Sequence, residues 1–210
     1  MARFLNPEST GMYRLNFDAL DGDTEALSFA DPIPEPYRWP GGNLGLRRIY
    51  GGGAPVSTAN FPTRLRVSGR DAKLVDFNTA YHIYLVNRRF IAVVERFQAE
   101  IQYIPVECVW ESGKSAGEYY FFFTTILRDA VIREKTTATW TPALPGRGLW
   151  QPKLYAGETF TFDRAGLAGA HMWVDPNMPT KGALVSEDLY AALRAANIQS
   201  FYEESHFAEV

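Results

Sequence analysis

The sequence predicts an α+β domain: a mixed or mainly antiparallel sheet with two amphipathic helices packed on it. Residues 64–68, 80–86, 102–110 and 118–126 are rich in β-branched and aromatic side chains and read as strands. Two segments, opening after Asn87 and after Ser186, instead repeat apolar residues at helical spacing. The 210 residues include 14 Phe, 11 Tyr and 5 Trp, enough large side chains for a sizeable core without disulfide staples.

The elements follow in order. Residues 1–62 read as an irregular, Pro/Gly-rich N-terminal segment, and residues 63–210 as the α+β domain proper. Six prolines and six glycines among residues 31–62 forbid a continuous helix or a central strand there. Yet Tyr37, Trp39, Leu44, Leu46, Ile49 and Tyr50 make the segment too apolar for a free linker, so it is expected to wrap an edge or face of the core. The strands at 64–68 and 80–86 precede the first helix, where Asn87 is a good N-cap and Phe90, Val93, Val94 and Phe97 form the apolar stripe. In the strand at 118–126, Tyr119, Phe121 and Phe123 point one way and Tyr120 and Phe122 the other. With both faces apolar, that strand belongs at the centre of the sheet.

A second break at residues 141–152, with Pro142, Pro145, Gly146, Gly148 and Pro152, is expected to separate two strand groups. Residues 158–163, 171–174 and 182–185 read as further strands. The second helix has Ser186 as N-cap and Leu189, Ala192, Leu193 and Ala196 as its stripe, each offset by 99 residues from its counterpart in the first. Similar sequences follow the two helices, Ile101-Gln102-Tyr103-Ile104 and Ile198-Gln199-Ser200-Phe201-Tyr202. Either a strand–helix–strand unit is used twice or a short generic motif recurs. The first turns differ: Glu187 and Asp188 suit a helix N-terminus, whereas Arg88 and Arg89 oppose it and call for a compensating carboxylate such as Asp76, or a partner contact.

Charge narrows the function classes. The chain totals -3, which argues against a nucleic-acid binder. Residues 1–35 carry -5, residues 36–185 carry +6 and residues 186–210 carry -4. The most apolar stretch, 119–127, is about half the length of a membrane helix, and the N-terminus lacks an apolar run of signal-peptide length. A cytoplasmic protein without a membrane partner is the expectation.

No constellation for catalysis emerges. His82, His171 and His206 have no metal-ligand spacing, and the single cysteine, Cys108, excludes an internal disulfide or a multi-cysteine zinc site. His82 reads as a core or edge histidine of an apolar strand, and Cys108 as a buried, inert thiol. The clusters at Gly41-Gly42 and Gly51-Gly52-Gly53 lack the lysine and the strand–helix context of a phosphate loop. No catalytic residue, metal or cofactor is expected, and the chain reads as a binder.

The order of short signatures in the C-terminal two-thirds is distinctive. Gln102-Tyr103-Ile104-Pro105-Val106 precedes Glu118-Tyr119-Tyr120-Phe121-Phe122-Phe123 and Leu127-Arg128-Asp129-Ala130-Val131-Ile132-Arg133-Glu134-Lys135-Thr136. Thr161-Phe162-Asp163, His171-Met172-Trp173-Val174 and Leu184-Val185-Ser186-Glu187-Asp188-Leu189 follow. Over residues 73–202 this resembles the myxobacterial-type immunity-protein family of bacterial polymorphic toxin systems. The resemblance implies a cytoplasmic protein that neutralises a cognate toxin, encoded beside it, by binding it, with no catalytic residues to carry over.

For such a role the acidic C-terminal end offers Asp188, Glu203, Glu204 and Glu209 as partner-binding residues able to attract a basic toxin. The aromatic- and arginine-bearing stretch with Tyr37, Trp39, Arg47, Arg48 and Tyr50 is the second choice. Two other classes stay open: a hydrolase acting on a nucleotide or a toxin-made modification, and a structural or regulatory subunit of a secretion or phage assembly. The oligomeric state is not legible.

Overall fold

Consecutive aromatic residues at 119–123 can be buried only if both faces of their strand are covered. Phe121, Phe122 and Phe123 are each fully buried, and their strand lies third from one end of a six-stranded sheet. The computed structural model describes residues 1–5, 15–33, 38–39, 42–43, 52–69, 74–98, 100–144, 147–151, 157–178, 182–199 and 207–210.

In chain order, β1 (Ala2–Phe4), β2 (Asn16–Ala19) and the paired β3 (Arg38–Trp39) and β4 (Gly42–Asn43) come first. Next are β5 (Arg64–Ser68), β6 (Phe77–Ala80), β7 (Ile83–Val86) and α1 (Arg88–Val94), then the long hairpin of β8 (Ile101–Trp110) and β9 (Ser115–Thr124). A second hairpin, β10 (Thr139–Leu144) and β11 (Arg147–Gln151), precedes β12 (Thr161–Phe162), α2 (Arg164–Leu167) and β13 (Met172–Trp173). The chain closes with β14 (Leu184–Ser186), α3 (Glu187–Ala195) and β15 (Ala208–Glu209).

The large sheet runs β2-β5-β8-β9-β7-β6; β5 and β8 are parallel and the other neighbours antiparallel. The expected mixed α+β architecture is therefore present. On one face α1 seats Phe90 flat against Phe77, with ring centroids 5.2 Å apart, and edge-on to Phe122 at 5.3 Å. On the other, Phe61 meets Phe121 at 5.2 Å and Phe123 at 5.8 Å. The Gln102 amide donates to the Val56 carbonyl at 3.0 Å and accepts from its N–H at 2.8 Å, so a side chain of β8 ties the early segment down as a strand would. Gly52 approaches β9 so closely, at φ +102°, that a Cβ there would lie 2.6 Å from the Thr124 carbonyl oxygen.

A second core gathers residues remote in sequence. β1 pairs with β14, which also pairs with β13, and β12 pairs with β15. Phe4 and Phe160 both meet Phe207 edge-on at 5.3 Å, and Phe162 meets Trp173 at 5.7 Å. Tyr84 of the first core fastens the segments that lead into the second: its hydroxyl donates to the Leu5 carbonyl at 2.6 Å, next to Phe4, and accepts from the Ala183 N–H at 2.8 Å, next to Leu184.

Capping explains where the helices start. The Asn87 side chain accepts from the N–H groups of Arg89 and Phe90, and Ser186 accepts from that of Leu189. Asp76 is the carboxylate that α1 required: it is buried, accepts from Asn87 Nδ2 at 2.6 Å and holds the Arg89 guanidinium at 3.1 Å. Arg89 also donates to the Ala196 carbonyl at the C-terminal end of α3, so one cation serves both helices. Arg88 turns outward, 3.6 Å from Glu95.

Several expectations need correction. Residues 80–86 are a turn and a strand rather than one strand: Tyr81 and His82 adopt φ +54° and +64° and close the tight β6–β7 hairpin, leaving His82 exposed rather than in the core. Phe97 lies beyond α1, whose C-cap is Glu95. Residues 141–144 and 147–151 belong to a hairpin instead of a separator; Pro142 is tolerated because, among the described residues, β10 pairs with β11 alone and the register shifts beside it. There a Cβ on Gly148 would lie 2.4 Å from the Trp140 ring. The strand expected at 158–163 is reduced to Thr161–Phe162, and α2, capped by Asp163, is an additional short helix. A strand followed by a capped helix does occur twice, as β7–α1 and β14–α3. The strand proposed to follow the second one falls mostly on residues 200–202, outside the described residues.

Candidate functional site

The acidic C-terminal end is built by chain segments that meet only in the fold. Pairing of β1 with β14 puts residue 1 beside the start of α3, and pairing of β15 with β12 brings Glu209 to the same place. Between them lies a cleft of about 380 Å³ walled by Met1, Arg164, His171, Ser186, Asp188 and Glu209. Asp188 and Glu209, two of the residues singled out from sequence, therefore share one rim. Glu203 and Glu204 lie outside the described residues, as do Tyr37, Arg47, Arg48 and Tyr50; of Trp39 only the backbone, in β3, is described.

The electrostatics of this rim are mostly settled internally. Arg3, 4% exposed, donates from Nε and Nη2 to the two carboxylate oxygens of Glu187, both at 3.0 Å, and its guanidinium lies 4.0 Å from the centre of the Tyr190 ring. Glu209 lies 3.3 Å from the Met1 α-amine and 4.0 Å from Arg164 Nε. Asp188 is exposed and, among the described residues, has no ion pair, and it stands at a helix N-terminus that favours its charge.

His171 Nδ1 lies 2.8 Å from Ser186 Oγ, and its ring meets Phe97 edge-on at 5.2 Å. Ser186 is at the same time the cap that accepts from Leu189 N–H at 3.2 Å. The histidine is thus tied to a structural hydroxyl, and Glu187 and Glu209, though not Asp188, are turned to arginines and the α-amine. The arrangement suits recognition of charge better than proton transfer.

The other titratable candidates behave differently. Cys108 is fully buried between β5 and β9, and burial pushes its thiol up to about 12, so it is neither ionised nor accessible. Asp175, which sequence reading passed over, is fully buried; Oδ1 accepts from the Asn177 N–H at 2.7 Å and Oδ2 has no hydrogen-bond partner. Burial, helped by the charge of Asp129, pushes its carboxyl up to about 8. Among the described residues no group of three or more His, Cys, Asp or Glu could hold a metal ion, and no helix is long and apolar enough to cross a membrane.

Comparison with protein-family models gives a match to the immunity protein family (Imm11) over residues 34–204. That span takes in part of the Pro/Gly-rich segment as well as the region whose signatures are distinctive. No curated protein matches the chain.

Proposed function

This chain belongs to the immunity protein family (Imm11), and from that premise we propose that it neutralises a cognate bacterial toxin by one-to-one binding. It would act in the cytoplasm, covering the toxin's active site or the path of its substrate. The observation that carries this reading is the family match across most of the chain. The clustering of Asp188 and Glu209 at one rim supports it, because a local negative field speeds encounter with a basic partner. Glu203 and Glu204 would add to that field, and the stretch with Tyr37, Trp39, Arg47, Arg48 and Tyr50 is the second contact region proposed.

One observation favours an enzyme as the competing reading: His171 stands beside a serine hydroxyl in a cleft with carboxylates on its rim. The two readings separate in cells challenged with the toxin domain encoded beside this chain. Under the binding reading Cys108→Ala keeps full protection, and any loss with His171→Asn tracks weakened affinity for the toxin. Protection lost in His171→Asn with folding and affinity unchanged would establish catalysis instead.

A further inference from the structure

The face of the large sheet that carries α1 is only half covered. α1 lies over Phe77 and Phe122, while Tyr103, Pro105, Glu107 and Glu118 stay exposed and Tyr120 is half-buried. Alternation and register place these five side chains on one face: Tyr103 stands opposite Phe122, Pro105 opposite Tyr120, and Glu107 opposite Glu118. Two carboxylates directly across an antiparallel pair repel each other. Arg64, opposite Glu107 on β5, takes one of them, with Nε 3.1 Å from Glu107 Oε2. No cation of the described residues pairs with Glu118.

Beside this carboxylate pair the face turns aromatic. The rings of Tyr103 and Tyr120 meet edge-on at 5.5 Å, and Tyr103 is 37% exposed, one of the few large hydrophobic side chains so open among the described residues. The Arg88 guanidinium lies 5.5 Å above the Tyr103 ring, steadied by Glu95, and Arg66 completes the charged surroundings on β5. Tyrosines held rigid by a sheet lose little freedom on binding, and tyrosine and arginine dominate the residues that carry interface energy. A repulsive carboxylate pair becomes an asset once a partner's cation sits between its members.

We propose that this open half-face is where the toxin docks, with a basic side chain of the toxin seated between Glu107 and Glu118 and apolar surface laid on Tyr103 and Tyr120. The inference rests on the binding role above and divides the labour: the acidic rim near α3 steers encounter, and this face holds the complex. Loss of the face therefore speeds dissociation, whereas loss of the rim slows association.

The test measures both rate constants for the purified, catalytically disabled toxin domain encoded beside the chain, with thermal melts of each variant. Glu118→Lys is expected to dissociate at least tenfold faster while its Tm stays level or rises, because the new ammonium would face Glu107 and relieve the repulsion. Tyr120→Ala is expected to dissociate at least tenfold faster as well. Wild-type rates in both variants would overturn the docking face while leaving the binding role intact. A wild-type chain that does not bind the domain would overturn the binding role, and this inference with it.

Discussion

Leu193→Asp is expected to leave the chain largely unfolded at 37 °C. Leu193 is fully buried on α3, in the core that also holds Leu189, Val185, Phe90 and Val94. A carboxylate there would be desolvated among apolar side chains, and the leucine's packing would be lost. Together these cost about 4–6 kcal/mol, against a total stability on the order of 5–15 kcal/mol for a domain. Ala191→Asp, on the exposed side of the same helix, should change stability by less than about 1 kcal/mol. Thermal melts and the soluble fraction on expression check the pair; a soluble Leu193→Asp variant with the wild-type Tm would contradict the packing of α3.

The second large effect is a pH dependence carried by Asp175. Its folded carboxyl sits at about 8 because burial penalises the charge, while in the unfolded chain it ionises near the usual 3.9. Below pH 4 both states hold the proton and the group has no influence on stability. Between about 4 and about 8 the unfolded chain has released the proton and the folded chain keeps it, so stability falls as pH rises, by about 1.4 kcal/mol per unit. Over that window the loss amounts to about 5–6 kcal/mol. Asp175→Asn cannot ionise, so the variant should match the wild type near pH 4 and exceed it by several kcal/mol at pH 8. Urea unfolding at a series of pH values measures the difference; parallel curves for the two proteins would show that Asp175 ionises freely in the fold.

What could be read beforehand was local. The apolar spacing of Leu189 and Leu193 behind a serine cap placed α3, and the double-faced aromatic run placed β9 inside the sheet, because periodicity alone decides which sides of an element must be covered. The β6–β7 hairpin escaped because Tyr81 and His82 are unusual at positive φ, where Asn and Gly normally announce the turn. α1 ends at Glu95, before Phe97, yet Phe97 still packs against the main core and meets His171, so apolar spacing marked a core residue without marking the helix end.

The second core was illegible for a different reason. Phe4, Phe160 and Phe207 each look like single apolar residues in short segments, and only long-range pairing of β1 with β14 and of β12 with β15 assembles them. The same pairing brings Asp188 and Glu209 to one rim, which sequence could propose as acidic but not as adjacent. The facing of Glu107 by Glu118 depends on a register that a bulge between Cys108 and Val109 shifts farther along, so spacing from the turn would have misplaced it. Asp175 reads in sequence as one more acid in a loop; its burial is a product of the fold.

The central claim, inhibition by stoichiometric binding, is tested most directly by titrating a fixed amount of active toxin domain with the purified chain and following the toxin's own activity. The account predicts a linear fall to zero at one chain per toxin, unchanged on longer incubation and reversed when the complex is dissociated and its parts separated. Loss of activity that deepens with time at a tenth of an equivalent, and that survives removal of the chain, would contradict it and mark the protein as a catalyst.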